Sequence, residues 1–118
     1  MNLFKRFFKR FRKNPIIGQW KMIDFTANGK VPEVNIIDKY IFTIKRKGQG
    51  FGNLDNGYDQ NFEWTLIDEK FSMTFNGGTR FFDVILLTDD YFIYQVQHNS
   101  IYDGEVVEET LITTYKRI

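Results

Sequence analysis

The first pattern in the chain has the period of an α-helix. Phenylalanines stand at positions 4, 7, 8 and 11, so they form one stripe along a helix face, and lysines and arginines fill most of the positions between them. The helix should end at Asn14 and Pro15, because the residue before a proline disfavours the helical backbone. We therefore expect residues 1–15 to form a short basic amphipathic helix and a linker.

From Ile16 onward the period changes to two, which is typical of β-strands with one buried face. Turn residues such as Asn76-Gly77-Gly78 and Asp103-Gly104 separate the apolar runs, since they reach positive φ angles at little cost. The predicted strands lie at about residues 18–26, 40–46, 49–53, 60–66, 71–75, 79–87, 91–97 and 106–116.

The short connections between these strands favour an antiparallel meander. Closing such a meander into a barrel removes its exposed edges. The pattern therefore predicts an all-β domain over residues 16–118, an eight-stranded antiparallel up-and-down β-barrel that follows the short N-terminal amphipathic α-helix.

Several short motifs recur along these strands in a characteristic order. They are Gly18-x-Trp20, Phe42-x-Ile44, Gly48-x-Gly50, Trp64, Phe82-x-Val84-x-x-Leu87-Thr88, and Thr110 to Arg117 with its final Thr-x-Tyr-Lys-Arg. Their order and spacing resemble those of lipocalins and related calycins, and most closely those of small bacterial lipocalin-like domains. The resemblance covers residues 16–118 and implies a lipocalin-like barrel.

The resemblance also implies how the barrel closes. In that family a tryptophan plugs the closed end of the barrel, and a basic residue near the C-terminus packs over it. By resemblance Trp20 matches the tryptophan, and Arg117 or Lys116 matches the basic residue. A guanidinium over an indole face contributes about 0.5–2 kcal/mol. We therefore assign Gly18, Trp20 and Arg117 to barrel closure.

The inward-facing side chains allow two interpretations. They could surround a cavity for a small apolar ligand, or they could fill the interior, because an eight-stranded barrel is only just wide enough for side chains or for one small ligand. A pocket, if there is one, should open at the end opposite Trp20. The candidate ligand-binding residues are Phe42, Phe62, Trp64, Phe71, Phe75, Phe92, Tyr94 and Tyr115.

The chain offers little material for catalysis or cofactor binding. It has no cysteine, and His98 is its only histidine, so no zinc site or thiol chemistry is expected. Ser72 and Ser100 lack the context of an activated nucleophile. The acidic run around Glu108 is typical of a solvated strand end. We expect no catalytic residue, no metal and no cofactor, and therefore not an enzyme.

The net charge of +1 conceals an asymmetry. Residues 1–13 carry six basic and no acidic residues, whereas the rest of the chain has 10 basic and 15 acidic residues, a net charge of −5. The basic helix could cover the barrel, dock on a protein partner or a second copy, or lie on an anionic membrane. Its candidate binding residues are Phe4, Lys5, Arg6, Phe7, Phe8, Lys9, Arg10, Phe11 and Arg12. The acidic body argues against a nucleic-acid partner.

These patterns favour a non-catalytic binding module that holds a small apolar ligand or a protein partner. The alternative is an interaction protein with a filled barrel that docks through the basic helix on a protein complex or an anionic membrane surface. No apolar stretch has the form of a signal peptide or is long enough to span a bilayer, so the expected location is cytoplasmic, with the membrane periphery as the alternative.

Overall fold

A computed structural model describes residues 14–31, 40–53 and 59–118, and of Tyr102 it describes the backbone only. The described chain is all-β and contains eight strands. They are β1 (Gly18–Ala27), β2 (Ile41–Ile44), β3 (Gln49–Gly52), β4 (Gln60–Ile67), β5 (Lys70–Phe75), β6 (Gly78–Leu87), β7 (Tyr91–Tyr102) and β8 (Glu105–Arg117). The predicted number, order and approximate position of the strands are confirmed.

The strands form a closed antiparallel barrel in sequence order, in which β8 pairs with β1. Each hairpin reverses the chain, so odd-numbered strands run away from the end that contains Trp20 and even-numbered strands return to it. We call this end the closed end and the opposite end the open end. The predicted up-and-down barrel is thereby confirmed, whereas the predicted helix at residues 1–13 lies outside the described residues.

Two bulges change which residues face the interior. In β1 the register with β8 shifts between Met22 and Asp24, and in β6 the register with β7 shifts between Val84 and Leu86. A bulge adds one residue to a strand and so moves the following side chains to the other face. The shift in β6 explains why the buried residues of that strand change from an even number, Phe82, to an odd number, Leu87.

The hairpin of β7 and β8 extends beyond the barrel. The ladder between β6 and β7 stops at Asp83 and Gln95, and the ladder between β1 and β8 stops at Ala27 and Leu111. Beyond these points, residues 97–102 and 105–110 pair only with each other among the described strands, and we call them the ribbon. The prediction that β7 ends at Gln97 was therefore wrong, because the ribbon exposes most of both faces and needs no apolar alternation.

The core lies mainly in the half of the barrel next to the closed end. Aromatic rings meet there edge to face, with centroid separations of 5.2 Å between Phe71 and Phe92 and 4.7 Å between Phe42 and Tyr115. Such pairs add about 0.5–1.5 kcal/mol to the effect of burial. This packing gives the barrel a solid base beneath its open half.

Candidate functional site

The closed end is sealed by a contact between the first and the last strand. Trp20 is fully buried and pairs with Arg117 across the β1–β8 ladder, and the Arg117 guanidinium carbon lies 4.3 Å from the centroid of the Trp20 ring. The Trp20 indole N–H donates to the Ile16 carbonyl at 2.9 Å. Of the two basic residues considered, Arg117 is thus the one that lies over the indole.

Arg117 also joins its own strand to two other backbone segments, residues 15–17 and the turn that contains Asp89. Its guanidinium donates to the carbonyl of Ile17 at 2.7 Å and to the carbonyls of Pro15 and Asp89. Gly18 makes room for it, because a Cβ built at Gly18 would lie 2.1 Å from Nη1 of Arg117. The backbone of Gly18 also has a φ of +144°, which favours glycine. The closure residues Gly18, Trp20 and Arg117 therefore lie in one cluster with a structural role.

The open half of the barrel contains a cavity of about 610 Å³ that is open to solvent. This volume lies within the range of about 300–1,000 Å³ that is usual for small-molecule sites. Most of its lining is apolar or aromatic. The lining residues are Met22, Phe25, Tyr40, Met73, Phe75, Arg80, Phe81, Phe82, Tyr94, Val96, Gln97, His98, Leu111, Thr113 and Tyr115.

Two tyrosine hydroxyls form the polar floor of this cavity. The hydroxyls of Tyr94 and Tyr115 lie 2.6 Å apart and share a hydrogen bond. Burial raises the pKa of Tyr94 to about 12, although the hydrogen bond with Tyr115 and the positive charge of Arg80 oppose this rise. Burial also raises the pKa of Tyr115 well above its usual value. Both phenols are therefore neutral at physiological pH.

The cavity reaches the surface where β6 and β7 separate. Its lining includes Arg80 and Phe81 from β6 and Gln97 and His98 from β7, and all four residues are exposed. Because the β6–β7 ladder has already stopped at Asp83, no strand pairing closes this gap. We call the gap the β6–β7 split. The mouth lies away from Trp20, at the open end.

The eight residues predicted to line the interior divide between the two halves. Phe75, Tyr94 and Tyr115 line the cavity. Phe42, Phe62, Phe71 and Phe92 are buried in the packed core and do not belong to the cavity lining. Trp64 is partly buried against this core, and its indole N–H donates to the carbonyls of Lys45 and Gln49, each at 2.8 Å. The interior is thus neither wholly filled nor wholly open.

The prediction of ligand-binding residues did not include the polar ones at the mouth. Arg80 stands at an even position of β6, like the buried Phe82, and strand alternation alone would have placed it on the inner face. Phe25 was missed for a different reason, because the bulge in β1 reverses the alternation that Trp20 and Met22 establish. His98, the only histidine of the chain, pairs with Glu109 across the ribbon.

The residues considered for other chemistry are scattered. Ser72 is buried and shares a hydrogen bond with Thr65 at 2.5 Å, while Ser100 lies in the ribbon opposite Val107. Among the described residues, no three His, Asp or Glu side chains form a group that could hold a metal ion. The part of the chain that the structure describes also has no helix long and apolar enough to cross a bilayer. The basic residues 1–13 lie outside the described part.

Comparison with known proteins agrees with the barrel geometry. A search of curated proteins found no significant match to the chain. The family described as the lipocalin-like domain matches residues 16–94, which span β1 to the first residues of β7. The match covers more than half of the chain. The chain therefore belongs to the lipocalin-like domain family.

Proposed function

We propose that the protein is a non-catalytic binding module that holds a small apolar ligand in the open half of its barrel. The observation that carries this proposal is the cavity of about 610 Å³ with its mainly apolar lining. Burying apolar ligand surface against Met22, Phe25, Phe75 and Leu111 would supply about 25 cal/mol per Å². The neutral hydroxyls of the floor would orient a ligand by hydrogen bonds.

A neutral fluorescent probe tests this proposal. Nile red should bind the wild-type protein with increased fluorescence, because the cavity is apolar. Leu111→Trp should abolish binding by filling the cavity. The matched control Ile67→Trp adds the same side chain at a position that is 66% exposed near the closed end, and it should leave binding unchanged. Native mass spectrometry of gently purified protein would then give the mass of any natural ligand.

Two results would contradict the proposal. One is the absence of Nile red binding by the folded wild-type protein. The other is an equal response of the Leu111→Trp and Ile67→Trp variants, which would place the probe outside the cavity. Thermal unfolding of both variants must show that they are folded before either comparison is made.

The ribbon favours a second candidate, an interaction protein that binds a basic and apolar segment. Ile101 and Val106 pair across the ribbon and are 74% and 70% exposed. Four acidic residues lie in the ribbon and its turn, at positions 103, 105, 108 and 109. A segment that combines apolar and basic side chains complements this surface. Residues 1–13 have this composition, with phenylalanines among lysines and arginines.

The segment would come from a second copy of the chain. Residues 1–13 would span about 20 Å as the predicted helix. They lead into Pro15, whose carbonyl accepts a hydrogen bond from Arg117 at the closed end. Val106 in the ribbon lies 11 positions before Arg117 on β8, which is about 36 Å along the strand. The helix is therefore too short to reach the ribbon of its own barrel, and a head-to-tail contact between copies would result.

Analytical ultracentrifugation tests this second candidate. The full chain should associate, and deletion of residues 1–13 or the change Val106→Lys should give a monomer. Val31→Lys, at a site that is 65% exposed outside the ribbon, is the matched control and should leave association intact. A monomeric full chain would contradict it, and flotation on anionic vesicles that depends on residues 1–13 would instead favour a peripheral membrane role.

A further inference from the structure

The dipeptide Asn-Gly occurs in two described turns that have different surroundings. Asn28 and Gly29 form the turn after β1, and Asn76 and Gly77 form the turn between β5 and β6. Both asparagines are exposed, so access to water does not distinguish them. The same dipeptide at positions 56–57 lies outside the described residues. The two described turns therefore show how tertiary surroundings change the chemistry of one dipeptide.

An Asn-Gly dipeptide can modify itself, because asparagine is a chemically labile residue. The backbone nitrogen of the glycine bonds to the side-chain carbonyl carbon of the asparagine. The side-chain nitrogen leaves as ammonia with the proton of the glycine N–H, and a five-membered succinimide results. Water then opens this ring at either carbonyl, which gives aspartate or isoaspartate. Glycine has no Cβ to hinder the attack, but the asparagine side chain must be free to turn toward the nitrogen.

The Asn28 side chain is not free, because β8 holds it. Its Oδ1 accepts a hydrogen bond from the Thr110 backbone N–H at 2.8 Å, and the Asn28 backbone N–H donates to the Thr110 carbonyl at 2.9 Å. The φ angles of +52° at Asn28 and +80° at Gly29 are typical of a tight two-residue turn. Turning the side chain toward the Gly29 nitrogen would break its bond with Thr110, which opposes succinimide formation.

The Asn76 side chain lacks this restraint. Phe75 pairs with Gly78, so the turn at the open end consists of Asn76 and Gly77 alone. Within the described part of the chain, no residue forms a hydrogen bond with the Asn76 side chain. A Cβ built at Gly77 would have no neighbour within 4 Å, so the space beside this glycine is open. The Asn76 side chain can therefore turn toward the Gly77 nitrogen without losing a bond.

We propose that Asn76 is a site of spontaneous modification to aspartate and isoaspartate, whereas Thr110 protects the same dipeptide at Asn28. Asn76 borders a hollow at the open end together with Gln60 and Thr79, so the reaction places a new carboxylate there. The formal net charge of +1 falls by one. In isoaspartate the Cβ atom becomes part of the main chain, so the turn between β5 and β6 becomes longer by one atom. This inference depends neither on a ligand nor on association between copies.

Peptide mapping by mass spectrometry tests this inference on the folded full chain. The protein would be incubated at mildly alkaline pH, and each asparagine would be followed by the gain in mass when its amide becomes an acid. Chromatography of the peptides separates the aspartate and isoaspartate products. Asn76 should convert about tenfold faster than Asn28, because the reaction at Asn28 must first break the bond with Thr110.

Two comparisons locate the cause of this difference. In urea, where the bond with Thr110 is lost, Asn28 and Asn76 should convert at similar rates. Gly77→Ala should slow conversion at Asn76 by adding a methyl group beside the attacking nitrogen, and it should leave Asn28 unchanged. The variant should fold, because Gly77 has no positive φ and its added Cβ meets open space. Thermal unfolding of the variant checks that it does.

The outcomes decide each part of the inference. Equal conversion of the two asparagines in the folded protein, or faster conversion at Asn28, would overturn it. Unchanged conversion at Asn76 in folded Gly77→Ala would overturn the attack by the Gly77 nitrogen. A tenfold difference that persists in urea would assign the effect to the neighbouring sequence and would overturn the protective role of Thr110.

Discussion

The two halves of the barrel use the same residue types for different purposes. Phe71 and Phe75 lie four positions apart on β5 and face the same interior. Phe71 is fully buried among Phe82, Phe92 and Tyr94, whereas Phe75 is partly buried and lines the cavity. Aromatic content therefore does not decide whether a barrel is filled.

The difference follows from the strand pairing. Near the closed end β6, β7, β8 and β1 are joined by ladders that are interrupted only by the two bulges, so their inner side chains meet. Toward the open end the β6–β7 ladder stops at Asp83 and Gln95, and the rest of β6 pairs only with β5 among the described strands. Stability is thus concentrated near the closed end, and the open half is available for a ligand.

The largest expected effect compares the two phenylalanines directly. Phe71→Ala should lower the free energy of unfolding by about 3–5 kcal/mol, because it leaves a void in close-packed core. Phe75→Ala should cost about 1–2 kcal/mol, since much of its ring already borders open space. Urea denaturation of both variants gives the two values, and equal losses would show that the halves are packed alike.

The next effect concerns the boundary between the halves, where the two tyrosines lie. Tyr94 ionises at about pH 12 in the folded protein and near pH 10.0 in the unfolded chain. Unfolding therefore releases a proton between these values, and the free energy of unfolding should fall by roughly 3 kcal/mol as the pH rises from about 10 to about 12. Below about pH 10 this contribution is fully present.

Urea denaturation at several alkaline pH values measures this fall, and the absorbance of phenolate follows the ionisation. In Tyr94→Phe the fall should be smaller, because only Tyr115 of the pair then remains to ionise. A fall of the same size in this variant would assign the alkaline sensitivity to groups outside the cavity floor.

The smallest expected effect concerns the closure cluster. Arg117→Lys should lower the free energy of unfolding by about 2 kcal/mol, because lysine keeps the charge but cannot donate in a planar fork to several carbonyls. Lys116→Gln, at the exposed neighbouring position, should change it by less than about 0.5 kcal/mol. Equal effects of the two changes in urea denaturation would show that Arg117 acts through charge alone.

Several features of the fold could be predicted because they depend on short stretches of sequence. The period of two and the turn residues predicted eight strands. The observed first and last residues of β1 to β6 lie within three positions of the predicted ones. The family resemblance of Gly18, Trp20 and Arg117 predicted where the barrel closes. These features depend on neighbouring residues or on a motif, so the sequence contains them directly.

The ribbon and the bulges could not be predicted in this way. Residues 97–100 are Gln-His-Asn-Ser, and such a polar run normally indicates a turn. It continues as a strand because β8 supplies hydrogen-bond partners as far as Tyr102. The bulges in β1 and β6 move Phe25 and Leu87 to the inner face, although simple alternation from Trp20 and Phe82 predicts the outer face.

The sequence by itself determined that this chain forms an eight-stranded barrel closed around Trp20, because periodicity, turn residues and the closure motif are local properties. Only the tertiary structure decided that one half is filled and the other hollow, and that Arg80 borders the cavity. Both depend on the distance between β6 and β7, which are adjacent in sequence but separate beyond Asp83. The spacing of strands results from the packing of the whole barrel, and no single stretch of the chain encodes it.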